Sequence, residues 1–122
     1  MIEIDLNSEV PIYLQLRNQI VLAIARGELA FGDALPTVRQ LAKDMGVNPM
    51  TVSKTYKELK NQGYIEANIR QGTVIKRTEL TQGTLAGIRG ELELLLAEAS
   101  IGGCPEEEIF ALVREILNRY RR

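Results

Sequence analysis

The most constraining feature of this chain is the segment Gly46-Val47-Asn48-Pro49, where one helix must end and another must begin. Glycine favours the left-handed conformation that terminates helices. Asparagine is a good N-terminal cap, and proline is favoured at the first helical position after it. Two helices joined by so short a turn predict a helix-turn-helix.

Similar signals delimit the helices before this junction. The first is predicted over residues 11–26, where Ile12, Leu16, Ile20 and Ile24 recur at spacing four and Gly27 follows. The second should start after Pro36, with Thr37 as its cap and Gln40 placed to complete a capping box. Val52, Tyr56 and Leu59 then give the third helix a buried stripe.

The segment after the third helix has the pattern of a β-hairpin. β-Branched and aromatic residues at 64–68 and 73–76 flank a polar connection containing Gly72. Ala34-Leu35 could add a short pairing. Three helices followed by a hairpin wing describe a winged helix-turn-helix, so the expected fold is mainly α with a small β-hairpin wing.

The C-terminal part is predicted to be a helical tail. We expect a DNA-binding domain over residues 1–77, a linker over 78–83 and two tail helices within 84–122, separated at Gly102-Gly103. Apolar residues recur at helical spacing in both tail helices and form a stripe on each. These stripes could cover only each other within one chain. Two helices alone bury little surface, however, which favours a homodimer. The predicted interface residues are Leu85, Ile88, Leu92, Leu95, Leu96, Ile109, Leu112, Val113, Ile116 and Tyr120.

The distribution of charge matters more than the net charge of −1. Residues 36–77 carry eight basic and three acidic residues, a local charge of +5, and each flanking segment carries −3. A basic middle between acidic ends is what a local phosphate-binding surface requires.

Cysteine and histidine usage excludes several classes of protein. With one cysteine, Cys104, and no histidine, the chain cannot form an internal disulfide, a thiol-plus-imidazole zinc site or a triad with a histidine base. Cys104 is interpreted as a small apolar residue beside a turn. No metal or cofactor is expected, and the lack of a signal-peptide pattern or apolar span predicts a cytoplasmic protein.

Several motifs within residues 10–77 resemble one family of bacterial regulators. They are Pro11-Ile12-Tyr13-x-Gln15-Leu16, Gly32-Asp33-x-Leu35-Pro36-Thr37-x-Arg39, Gly46-Val47-Asn48-Pro49-x-Thr51-Val52-Ser53-Lys54 and Gly63-Tyr64-Ile65-Glu66. The chain resembles the GntR family in these motifs, and Asn48-Pro49 with the short tail resembles its YtrA-like subfamily. The resemblance implies a transcriptional regulator, more often a repressor, and suggests a membrane-transporter operon as its target.

The resemblance also implies that Arg39, the start of the third helix and the wing glycine approach DNA. Many family members have an arginine where this chain has Pro49, so base reading is expected to shift to Thr51, Ser53 and Lys54. The predicted DNA-contacting residues are Thr37, Arg39, Asn48, Met50, Thr51, Ser53, Lys54, Lys57, Arg70, Gln71 and Gly72.

Several of these residues also have an ordinary interpretation. Arg39 could pair with Asp44, the lysines could be solvated surface residues, and Asn48 is first of all a helix cap. Thr51 and Ser53 could bond to their own backbone.

Two functions from different classes therefore remain. The first is a repressor that binds a palindromic double-stranded DNA operator as a homodimer, with a small-molecule effector left open. The second is a winged-helix module that binds an acidic protein. An enzyme is disfavoured, because the carboxylates of Glu106, Glu107 and Glu108 are explained by a helix N-terminus.

Overall fold

A computed structural model describes residues 3–120 of the chain. Contacts between residues divide it into two compact units, one reaching Thr78 and the other starting at Glu79. The first unit contains three helices and a hairpin, and the second contains two helices.

The first helix, α1, covers Ile12–Ala25 and anchors the first unit. Pro11 precedes it as the N-terminal cap residue, so the prediction that the helix begins at Pro11 was wrong by one residue. Leu16 and Ile20, the middle of the predicted stripe, are fully buried. Burial of such side chains stabilises the fold by about 1.5–3 kcal/mol each.

The helix-turn-helix consists of α2, Val38–Met45, and α3, Pro49–Asn61. Thr37 caps α2 by accepting a hydrogen bond from the Gln40 amide. The return bond from the Gln40 side chain, expected for a full capping box, is absent from the described part of the chain, where this side chain is exposed to solvent. Gly46 ends α2 with φ of 69°, a left-handed conformation that a side chain would disfavour.

The wing is an antiparallel hairpin of β1, Ile65–Asn68, and β2, Gly72–Ile75, in which Ile65 lies opposite Ile75. Ala34 forms an additional antiparallel bridge with Val74, as the sequence suggested. The bridge ties the loop between α1 and α2 to the hairpin.

One hydrophobic core unites these elements. Its buried members are Leu16, Ile20, Leu41, Ala42, Val52, Tyr56, Leu59, Ile65 and Ile75. Thr55 is also fully buried, although the sequence analysis did not single it out. Its hydroxyl donates a hydrogen bond of 2.7 Å to the Tyr13 carbonyl, which satisfies the buried polar group and joins α3 to α1.

The second unit contains α4, Gln82–Ile101, and α5, Glu106–Asn118. The prediction of a linker through residue 83 was too long, because Thr81 caps α4 through the Thr84 amide and the helix already includes Gln82 and Gly83. The two helices make little contact with each other, and neither contains a buried residue. Within residues 3–120, no helix combines the length and apolarity needed to cross a membrane.

Candidate nucleic-acid interface

The first half of α3 presents an exposed face made of predicted site residues. Asn48 caps the helix by accepting a 2.8 Å hydrogen bond from the Met50 amide, and Pro49 occupies the first turn, both as predicted. Met50 is 78% exposed, Ser53 is exposed and Thr51 is half-buried. An apolar side chain and two hydroxyl groups can thus reach a ligand that lies along this helix.

The lysines of α3 lie on the outside of the unit. Lys54 and Lys57 are both exposed, so neither is packed beneath another element. The Lys54 ammonium lies 4.0 Å from the centroid of the Tyr13 ring. Tyr13 belongs to α1 and was not among the predicted site residues, because no pattern along the chain reveals a contact between residues so far apart.

The start of α2 is fixed to α3 by a buried hydroxyl. Tyr56 is 5% exposed, and its hydroxyl donates a 2.7 Å hydrogen bond to the Pro36 carbonyl, next to the cap residue Thr37. Burial raises the pKa of Tyr56 to about 12, so the group stays protonated and able to donate. Arg39 is exposed at the second position of the helix that this bond anchors.

The wing tip is organised by Asn68. Its side-chain oxygen accepts hydrogen bonds from the amides of Arg70 and Gln71, at 2.9 and 3.0 Å. Gly72 then returns the chain into β2 with φ of 79°, a conformation suited to glycine. Ile69, which the sequence analysis did not single out, is 106% exposed at this tip.

The eight basic residues between positions 36 and 77 form no ion pair within the described residues. All eight are exposed: Arg39, Lys43, Lys54, Lys57, Lys60, Arg70, Lys76 and Arg77. The single ion pair within residues 3–120 joins Arg119 to Glu115 in α5, so Arg39 is not paired with Asp44. The unit therefore offers unneutralised positive charge to an anionic partner.

A groove brings three of the predicted residues together with the start of α1. It is lined by Pro11, Ile12, Tyr13, Met50, Thr51 and Lys54. The cap residues Thr37 and Asn48 and the wing residues lie elsewhere, each at the beginning or turn of its own element.

The predicted tail residues form apolar faces rather than a core. Leu85, Ile88, Leu92, Leu95, Leu96, Leu112, Val113 and Ile116 are exposed, and Ile109 and Tyr120 are half-buried. Cys104 lies half-buried at the turn, 3.8 Å from a Glu108 carboxylate oxygen. Burial and this carboxylate raise the pKa of the Cys104 thiol.

Comparison with known proteins places this geometry in a family. The sequence pattern of the family described as bacterial regulatory proteins, gntR family, matches residues 12–75. This range includes the whole helix-turn-helix and the wing. The chain belongs to the gntR family. This membership agrees with the resemblance that the motifs carried.

Individual relatives of this gntR-family chain are similar over most of its length. It is 39% identical over 119 residues to the HTH-type transcriptional repressor YtrA of Bacillus subtilis (strain 168), covering 95% of this chain and 92% of that protein. A solved structure of a transcriptional antiterminator from Listeria monocytogenes EGD-e covers 96% of this chain and 92% of its own, with 33% identity and a TM-score of 0.86.

A third similarity concerns a structure solved with DNA. AraR(DBD) in complex with operator ORE1 is 28% identical, has a TM-score of 0.51 and covers 60% of this chain and 92% of its own. Together these findings establish a transcriptional regulator of the gntR family with a winged-helix DNA-binding domain, related to YtrA. Its relatives are regulators rather than enzymes.

Proposed function

We propose that the chain is a sequence-specific repressor that binds a palindromic operator as a homodimer. The observation that carries the proposal is the set of eight exposed basic side chains in residues 36–77, of which none pairs with a carboxylate in the described structure. A duplex supplies the dense negative charge that such a surface attracts.

The residues divide into two roles. Arg39, Lys54 and Lys57 are exposed cations that would bind backbone phosphates and set the position of the protein on the duplex. Thr51 and Ser53 carry hydroxyls that can bond to base edges, and Met50 can contact a thymine methyl group. Arg70 and Gln71 at the wing tip extend the contact, and Gly72 lets the backbone come close.

The apolar faces of the tail support the homodimer. Soluble monomers rarely leave large contiguous apolar surfaces in water, yet both helices of the tail expose leucine, isoleucine or valine side chains along their length. A second copy would cover these faces, and the twofold symmetry of such a dimer matches two half-sites of a palindrome. A dimer bound across a promoter would exclude polymerase.

The first experiment tests DNA binding. Duplexes bound by the purified protein are selected from fragments of genomic DNA, and affinity for a selected duplex is measured by fluorescence anisotropy at increasing salt. The affinity should fall steeply as counterions are released. Arg39→Ala and Lys57→Ala should each weaken binding and lower the salt slope by about 1.

Arg26→Ala is the matched control. It removes the same charge from an exposed residue at the opposite end of α1 from Tyr13, about 20 Å away. It should leave both affinity and slope unchanged. If no duplex is selected, or binding does not respond to salt, the protein is better explained as a module that binds an acidic protein.

A second experiment tests the dimer by sedimentation equilibrium. Leu92→Glu places a charge on the predicted interface and should shift the protein to a monomer. Leu94→Glu makes the same change two residues later, on the opposite side of α4, and should leave the dimer intact. Equal behaviour of the two variants would contradict the predicted interface.

A further inference from the structure

We propose that Tyr13 is a positioning residue of the DNA interface, which holds the Lys54 ammonium where a backbone phosphate can bind it. The inference rests on the proposed function and adds to it a residue that lies outside the helix-turn-helix. Tyr13 stands in the first turn of α1, while Lys54 lies in α3.

The core fixes the place of the Tyr13 backbone. The carbonyl of Tyr13 accepts the 2.7 Å hydrogen bond from Thr55, which is fully buried, and the next turn of α1 buries Leu16. The start of α1 therefore cannot move away from α3 without exposing an unpaired hydroxyl and a large apolar side chain. The ring is attached to a rigid part of the unit.

The ring in turn confines Lys54. With the ammonium 4.0 Å from the ring centroid, the pair has the geometry of a cation–π interaction. An exposed lysine is otherwise free to sample many rotamers, and fixing it on a phosphate costs conformational entropy. Because the ring already restricts the Lys54 side chain in the free protein, less conformational entropy would be lost when it binds a phosphate.

The contact leaves the charge available. A carboxylate partner would neutralise Lys54 and would have to be displaced by a phosphate, whereas an aromatic ring carries no net charge. Lys54 forms no ion pair within the part of the chain described here. It can therefore contact the ring and a phosphate at the same time.

The surrounding groove places this pair at the proposed interface. Tyr13 and Lys54 line it together with Met50 and Thr51, two residues of the exposed face of α3. Lys57, one turn further along the same helix, is also exposed but has no aromatic ring beneath it among the described contacts. The chain thus provides its own comparison between a positioned and an unpositioned lysine.

The test is a double-mutant cycle on the affinity for the selected duplex. Tyr13→Leu keeps an apolar side chain but removes the ring, and binding should weaken about two- to fivefold, the range of an exposed cation–π contact. In a Lys54→Gln background the same change should have no further effect. In a Lys57→Gln background it should keep its full effect.

Two measurements separate positioning from a loss of structure. Tyr13→Phe keeps the ring and should bind like the wild type. In NMR spectra of the free protein, the Lys54 side-chain protons nearest the ammonium should show an upfield ring-current shift that persists in Tyr13→Phe and disappears in Tyr13→Leu. The corresponding protons of Lys57 should not change.

The outcomes distinguish this inference from the proposed function. If the wild type binds the duplex in a salt-dependent manner but Tyr13→Leu binds equally well, or weakens binding by the same factor with and without Lys54, the inference is overturned alone. An unshifted Lys54 signal in the wild type also overturns it. If the wild type selects no duplex, the proposed function fails, and the inference fails with it.

Discussion

Replacement of Tyr56 by phenylalanine tests the link that holds the start of α2 to α3. The substitution removes one hydroxyl group and nothing else. In the wild type this hydroxyl donates a 2.7 Å hydrogen bond to the Pro36 carbonyl from a residue that is only 5% exposed. The bond is thus a specific contact between α3 and the segment that leads into α2.

The expected cost follows from the chemistry of this bond. An intramolecular hydrogen bond contributes about 0.5–1.5 kcal/mol net. Pro36 is exposed, so water can solvate its carbonyl after the change. The loss in the free energy of unfolding should therefore lie near the middle of this range, at about 1 kcal/mol. For a unit of this size that corresponds to a fall in Tm of about 4–8 °C.

The assay is thermal unfolding followed by circular dichroism, with all variants at one protein concentration because dimerisation would make the Tm depend on it. Tyr13→Phe is the matched control: it removes the same group from a tyrosine whose hydroxyl has no hydrogen-bond partner in the described residues. Its Tm should equal that of the wild type. Equal loss in both variants would refute the assignment of the cost to the Tyr56–Pro36 bond.

The pH dependence supplies an independent check. The pKa of Tyr56 is about 12 in the folded protein, above the ordinary value of about 10 expected in the unfolded chain. Between these values the unfolded chain releases the proton and the folded protein keeps it, so the free energy of unfolding falls as pH rises. Tyr56→Phe lacks this proton, and the stability gap between the two proteins should therefore narrow from about pH 10 upward. A constant gap in urea unfolding would contradict the burial of the hydroxyl.

Three further substitutions test local features by thermal or urea unfolding. Asn48→Ala removes the cap of α3 and should lower the free energy of unfolding by about 1 kcal/mol, while Asn48→Asp should be close to neutral. Equal losses of stability in the two variants would contradict a stabilising role of the cap bond. Gly46→Ala should cost about 1–2 kcal/mol because φ is 69°, and Gly46→Asn should cost less. Gly87→Ala should stabilise α4 by up to about 1 kcal/mol, because alanine favours a helix more than glycine does and open space surrounds the position. A weaker dimer in sedimentation equilibrium would instead place Gly87 at a close contact between helices.

Local signals explain why much of the first unit could be predicted from sequence. Thr37 and Asn48 cap their helices, and Gly46 adopts the left-handed conformation, because each of these preferences acts within a few residues of the chain. The buried stripe of Val52, Tyr56 and Leu59 also follows directly from helical spacing.

The errors lie where local signals compete or fade. Gln40 has the right spacing for a capping box, but an exposed side chain gains little from the second bond and solvent satisfies it as well. The linker was predicted to run through residue 83, yet Thr81 caps a helix that begins at Gln82. The predicted homodimer depends on a partner and stays a prediction.

What the sequence by itself determined is the order of elements, the helix ends at Thr37, Gly46 and Asn48, and the excess of positive charge between residues 36 and 77, since all of these arise from neighbours along the chain. Only the tertiary structure decided that Thr55 is buried against the Tyr13 carbonyl and that Lys54 lies over the Tyr13 ring. Those contacts join residues about forty positions apart, and they exist because the shared core sets how α1 and α3 pack, which no local preference encodes.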